Sequence, residues 1–363
     1  MKIQFKLPKS DIVVFDDVNK EILINSILQD FDYYILETRG KSLILHYCVM
    51  YEILIHTFKI FKKRKLINKL REIKKIYFIS IINYISPKVL ITFIDNDPYF
   101  HAVCRECKNI TGVAIQNGVR THYNFNDKLN KEFQDNYYIP YYFVLGNHAE
   151  SLYKKYSHEC KDIFVIGSIK LDYFLSKQKA TEDYKYQLCL ISTWAGGEKI
   201  TGDYPFSTEN QYEVLLKIKN IVIKYGYSLV IALKTNEMSE ESYYRDIFAD
   251  NAIYKIDIED PFSAYSICTK SEIILTTYST LGFEFFATGK KVIFFNLSGD
   301  DRYTHSISNT ITSLQNSTLF DLISKMLIED RSYEYRTLND VQCVQNKKSS
   351  FEVVKEFISK VLN

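Results

Sequence analysis

Short, continuous apolar runs recur along the chain, each followed by a polar turn and then by apolar positions at helical spacing. In the first half the runs are Ile12–Phe15, Tyr33–Leu36, Val89–Ile94, Thr111–Ile115, Tyr141–Leu145 and Ile163–Ile166. Between them, helical periodicity runs through Lys20–Leu28, Leu43–Lys62, Asn68–Ile85, Tyr99–Cys107 and Ala149–Tyr156. A polar stretch, Ser176–Tyr184, interrupts the series. It resumes with apolar runs at Leu188–Ile191, Leu229–Leu233, Ile273–Thr276 and Val292–Phe295, separated by helical patterns at Gln211–Tyr225, Ser239–Phe248, Pro261–Cys268, Thr280–Thr288 and Leu319–Ile328. Runs that are apolar throughout, rather than alternating, mark strands of a parallel sheet covered on both faces. The pattern predicts an α/β protein with two doubly wound, Rossmann-like domains. Their expected spans are residues 1–175 and 186–345, with a last helix in 346–363 crossing back to the first domain.

Composition narrows the class without changing it. The 363 residues can bury two cores, and 46% hydrophobic with 25% charged residues is ordinary for a soluble globular chain. A net charge of +2 gives no general argument for nucleic acid as a partner. No run reaches the roughly 18 apolar residues that span a bilayer, and Met1–Ser10 lacks the apolar core of a signal peptide. The expected location is the cytoplasm, at most peripheral at the inner face of the plasma membrane. Residues 59–75 are basic on one side of a helix and apolar on the other, which suits a solvated helix face or a peripheral contact with an anionic membrane.

Seven cysteines, an odd number in apolar contexts, fit reduced core thiols. His101, Cys104 and Cys107 share one helix face, but no second Cys/His pair lies at finger spacing, so no metal is expected.

In doubly wound sheets, ligands bind outside the carboxyl ends of the strands, and the residues there carry the candidate chemistry. After Val89–Ile94 come Asp95 and Asp97, with His101 a turn further on; each could act as a general base, while Asp97 before Pro98 fits a helix cap better. After Thr111–Ile115, the loop Gln116-Asn117-Gly118-Val119-Arg120, with His122 beyond, reads either as a polar binding loop whose arginine holds an anion or as a structural turn. In the second half, Thr193 and Trp194 follow Leu188–Ile191, and Lys234 follows Leu229–Leu233 as a possible phosphate counter-charge. The most informative turn is Thr277-Tyr278-Ser279-Thr280, at the start of a helix holding Gly282 and Glu284. Helix-start N–H groups and two hydroxyls make an anion site, and a carboxylate at that offset could hold a ribose. Plain capping by Ser or Thr is the competing reading.

Ile166–Asp172, Leu190–Trp194, Leu233–Tyr244, Thr277–Glu284 and Gly289–Phe295 together resemble bacterial surface-carbohydrate biosynthesis proteins of the GT-B glycosyltransferase fold. The resemblance covers residues 88–296 and is strongest in the second half. It implies two Rossmann-like domains facing across a cleft. It further implies a glycosyltransferase of capsule or lipopolysaccharide synthesis, using a nucleotide sugar donor and a glycan or lipid-linked acceptor, with no metal or other cofactor. CMP-linked acidic sugars and UDP-, GDP- or CDP-linked sugars remain open as donors.

The turn is also similar to the Ser-Gly-Gly-x-x-Glu turn of nonhydrolysing UDP-N-acetylglucosamine epimerases, which implies phosphate contact at Ser279 and Thr280 and ribose contact at Glu284. Thr280 replaces a glycine of that pattern, and Gln116–Arg120 departs from the acidic, His-rich loop of the epimerases. Glycerophosphate transferases of teichoic acid synthesis resemble the turn as well, but Asn117-Gly118 stands where they carry His-Gly. Epimerase, glycerophosphotransferase and non-catalytic nucleotide-sugar binding are the alternative expectations.

Overall fold

A computed structural model describes residues 2–40, 42–60, 66–121, 137–156, 159–178, 184–194, 207–257, 259–296, 310–311, 316–328, 344–345, 347 and 349–363. The chain forms two units, one of residues 1–118, 124–173 and 347–363, the other of residues 119–123 and 174–346.

The first unit runs β1 (Lys2–Gln4), β2 (Ile12–Phe15), α1 (Lys20–Leu23) continuing into a π-helical turn, β3 (Tyr33–Leu36), β4 (Ser42–Ile44), α2 (Tyr47–Ile60) and α3 (Leu66–Ile85). It continues with β5 (Val89–Thr92), α4 (Pro98–Glu106), β6 (Thr111–Ile115), β7 (Tyr138–Val144), α5 (Asn147–Lys155), β8 (Glu159–Val165) and the start of α6 (Ile169–Lys177). Six strands make one parallel sheet in the order β3-β2-β5-β6-β7-β8. β2 and β5 are buried along their whole length, as their uninterrupted apolar sequences require.

The second unit contains β9 (Tyr186–Ile191), α7 (Thr208–Tyr225), β10 (Leu229–Ala232), α8 (Met238–Phe248), β11 (Ile253–Lys255), α9 (Ser263–Thr269) and β12 (Ser271–Thr276). After these come α10 (Thr280–Ala287), β13 (Lys291–Phe295), β14 (Thr310–Ile311) and α11 (Asn316–Ile328). Its sheet is parallel in the order β11-β10-β9-β12-β13-β14. The closing helix α12 (Ser350–Leu362) belongs to the first unit, where Asp172 accepts both the Ser350 N–H at 2.6 Å and its hydroxyl at 2.9 Å.

One expected helix is divided. Leu43 and Ile44, read as the beginning of a helix through Lys62, lie in β4, which pairs in parallel with β1. Three adjacent apolar residues fit either periodicity, and only the pairing partner decides between them.

Gly282 fixes how α10 seats on the sheet. A Cβ there would lie 2.5 Å from Thr276 Cγ2 and 3.4 Å from the Phe294 ring. Thr276 is fully buried and its β-branched side chain is stiff, so it cannot swing aside. Gly282→Ala is expected to cost about 1–3 kcal/mol of stability in urea unfolding; an unchanged midpoint would show that α10 can slide.

Candidate functional site at the carboxyl edge of the second sheet

The chain moves from β9 outward through β10 to β11 and then returns to place β12 on the other side of β9. That reversal opens a crevice beyond the carboxyl ends of β9 and β12, the place where such sheets hold ligands. Register sets Leu275 beside Leu190, so the turn Ser192-Thr193-Trp194 and the turn Thr277–Thr280 emerge side by side.

Ser279 occupies the N-cap position of α10 with extended backbone angles, φ −65° and ψ 134°, yet its hydroxyl makes no capping hydrogen bond. Its own N–H donates to Thr276 Oγ1 at 3.3 Å. Capping alone therefore does not account for this serine. Its carbonyl accepts the Gly282 N–H at 2.9 Å, while the N–H groups of Thr280 and Leu281 fall in the first turn, where the helix itself supplies no acceptor. Residues 119–123 group with this unit, and the Val119 N–H donates to Thr280 Oγ1 at 3.0 Å. Arg120 follows directly, half-buried, and so is carried to the amino end of α10. Tyr278 flanks the turn at 41% exposure, and burial of the rest of its ring raises its hydroxyl pKa.

Glu284 is buried and accepts the Tyr265 hydroxyl at 2.6 Å. Burial first, and then the Glu284 charge, push the Tyr265 pKa well up, so the tyrosine stays a neutral donor. The carboxylate, read from the sequence as a ribose contact, joins α10 to α9 beneath the turn.

Trp194 is only 8% exposed and packs in the core of the unit with Leu188, Leu190 and Ile218. Thr193 is half-buried beside it. Lys234 is exposed, and its described contact is through the backbone, its N–H donating to Glu240 at 2.9 Å.

Glu240 itself was not singled out from the sequence. It is fully buried and accepts the Thr235 N–H and hydroxyl, each at 2.7 Å, the Lys234 N–H, and the Ser192 hydroxyl in a short hydrogen bond. One carboxylate thus ties together the turns that follow β9 and β10. Its place in the first turn of α8 favours a negative charge.

In the first unit, the crevice of the sheet lies between β2 and β5. Asp95, after β5, is 1% exposed; its oxygens accept the Tyr142 hydroxyl at 2.7 Å and the Asn117 N–H at 3.2 Å. Gln116 is buried too, donating to the Gly118 carbonyl at 2.8 Å and accepting the Leu145 N–H at 2.9 Å. Asp95, Gln116, Asn117 and Gly118 therefore form one brace across β5, β6 and β7. Asp97 caps α4, accepting from Tyr99 N at 2.7 Å and Phe100 N at 3.4 Å. Burial raises its pKa, and the two N–H groups oppose that shift.

His101 stands apart from this group. Its Nδ1 lies 3.1 Å from the carbonyl of Tyr138, the first residue of β7. Roughly 13 Å of extended strand separates that residue from Tyr142, which reaches Asp95. His122 lies outside the described residues, as do residues 61–65 of the basic stretch.

Asp16, after β2, was also missed. Buried and in the left-handed region at φ 83°, it accepts the Val18 N–H at 2.8 Å, the Thr38 hydroxyl at 2.6 Å and Arg39 Nε at 2.8 Å. The rule that exposed Asp95 in the sequence, reading past each strand end, applies equally to Asp16 and Asp17. Among the described residues no cluster of His, Cys, Asp and Glu is arranged to hold a metal ion.

Solved structures place the fold. The UDP-GlcNAc 2-epimerase of Neisseria meningitidis, bound to UDP-GlcNAc, matches at a TM-score of 0.60 and 15% identity, over 99% of this chain and 100% of its own. The UDP-GlcNAc 2-epimerase of Methanocaldococcus jannaschii matches at 0.53 and 13%, over 99% and 100%. The wall teichoic acid polymerase TagF matches at 0.57 and 12%, over 97% and 88%. At these identities the likeness establishes a GT-B-type fold and nothing finer. No curated protein matches the sequence. Residues 113–309, more than half of the chain, match the model of a family described as "putative O-antigen biosynthesis protein", and the chain belongs to that family, whose work is the making of surface carbohydrate.

Proposed function

We propose that the protein is a glycosyltransferase of surface-polysaccharide synthesis, and that its second unit binds the phosphate of a nucleotide sugar donor at the amino end of α10. The observation that carries this reading is the Ser279 hydroxyl, which sits at the N-cap position without capping, in the crevice at the carboxyl ends of β9 and β12. The phosphate would accept from Ser279, from Thr280 and from the first-turn N–H groups, with Arg120 supplying the counter-charge. As the bond from sugar to phosphate breaks, negative charge grows on the leaving oxygen; fixed N–H dipoles and one guanidinium stabilise it with little reorganisation.

In this reading Glu284 and Tyr265 position α10 from below. The acceptor is a glycan or a lipid-linked glycan, as O-antigen assembly requires.

The direct test is thermal unfolding with CMP, CDP, UDP and GDP and their sugars. At a hundredfold excess over Kd, a true ligand stabilises by about 2.7 kcal/mol. One nucleotide is expected to raise the melting temperature, and Ser279→Ala and Arg120→Ala each to reduce that shift, Ser279→Ala while leaving the unliganded melting temperature in place. A panel without any shift, or shifts untouched by both variants, removes the assignment. An epimerase would interconvert its sugar nucleotide without an acceptor, which the same nucleotides can reveal.

A further inference from the structure

Helix α2 is apolar on two opposite sides. Val49 is buried and Ile53 packs against the core of the first unit, which accounts for one side. Tyr47, Met50, Tyr51, Leu54 and Ile55 recur at three- and four-residue spacing and form a stripe on the other. They are 78%, 38%, 66%, 55% and 39% exposed. The β1–β4 pair extends the stripe: Ile3 pairs with Leu43 and the Leu45 N–H donates to Gln4, so Ile3 and Phe5, both exposed, lie beside the residues leading into α2.

A helix apolar on both sides has two apolar neighbours; the core is one of them. No described helix is long and apolar enough to cross a membrane, so the second is not a spanning environment. Charge decides what it is. Residues 59–75, which follow the stripe along the chain, hold nine Lys and Arg and one Glu, a formal charge of 9 − 1 = +8. A second copy of the chain would bring a stretch of the same sign, whereas an anionic lipid surface complements the charge that remains once Lys75 pairs with Glu106. Two tyrosines within the stripe suit the depth where ring and hydroxyl meet tails and headgroups.

We propose that α2 is a membrane-docking helix, lying in the plane of an anionic bilayer with Tyr47, Tyr51, Leu54 and their apolar neighbours inserted at headgroup depth. Such a helix holds a peripheral protein by apolar burial plus attraction to anionic lipid, and the second term is weakened by salt. The inference stands apart from the nucleotide site, since it uses no residue of the second unit.

Flotation with vesicles tests it, using phosphatidylcholine alone and an equimolar mixture with phosphatidylglycerol. The protein is expected to float with the mixed vesicles at low salt, less at high salt and least with phosphatidylcholine. Tyr51→Ser combined with Leu54→Ser is expected to weaken binding at least about tenfold with an unchanged melting temperature, because both side chains are already in solvent. Absence of flotation with the mixed vesicles, or equal binding to both compositions, overturns the proposal. So does a dimer in sedimentation that the double substitution converts to monomer. Vesicle binding without any nucleotide-induced shift would leave the docking helix standing and the transferase assignment refuted.

Discussion

Glu240→Ala is expected to lower the unfolding free energy by about 3–5 kcal/mol, the largest single-site loss in the second unit. The substitution deprives two backbone N–H groups and two hydroxyls of their acceptor at once, and the Ser192 hydroxyl is buried with Glu240 where solvent cannot replace it. Such a loss is a large part of the stability of an ordinary domain, so urea unfolding of the variant should show a much earlier midpoint. Glu240→Gln separates shape from charge. A glutamine keeps one acceptor oxygen but turns its amide donors toward the Lys234 or Thr235 N–H, so it should recover only part of the loss, leaving about 2 kcal/mol. If Glu240→Ala were tolerated within about 0.5 kcal/mol, the turns after β9 and β10 would not depend on this carboxylate.

Glu240 also shows where sequence reasoning stops. The α/β class was legible because a parallel sheet covered on both faces demands uninterrupted apolar strands, and Val89–Thr92, Leu229–Ala232 and Val292–Phe295 supply them. Strands that make little core gave little signal: Ile253–Lys255 is an edge strand with alternating exposure, and Lys2–Gln4 declares itself only through its partner Ser42–Ile44. At the site, the position of Ser279 before a helix was readable from the turn, but that its hydroxyl leaves the capping to others was not. A glutamate in the first turn of an exposed-looking helix reads as dipole stabilisation; its burial as the hub of two turns depends on Ser192, some fifty residues away in sequence. Trp194 and Glu284 show the same limit. Both residue types can serve a ligand or a core, and burial, which is a property of the whole fold, chooses between them.

Asp95 permits the sharpest separation of a brace from a base. Its two oxygens accept from Tyr142, a fully buried ring, and from the Asn117 backbone. Asp95→Ala leaves both donors unpaired inside the first unit and should cost about 2–4 kcal/mol. Asparagine, by contrast, keeps most of this: its oxygen accepts the Asn117 N–H and its amide donates to the Tyr142 oxygen, which leaves only the Tyr142 O–H proton to be re-paired. Asp95→Asn should therefore lie within about 1 kcal/mol of the parent protein, and Tyr142→Phe should cost an intermediate amount. Turnover then discriminates. A general base replaced by its amide loses on the order of 100- to 10,000-fold in rate, whereas a brace rebuilt by asparagine loses little. The geometry favours the brace, since the carboxylate is 1% exposed and already accepts two hydrogen bonds. A stable Asp95→Asn protein that has lost its transfer rate but keeps its nucleotide-induced melting shift would instead establish Asp95 as the base, with Tyr142 holding it in place.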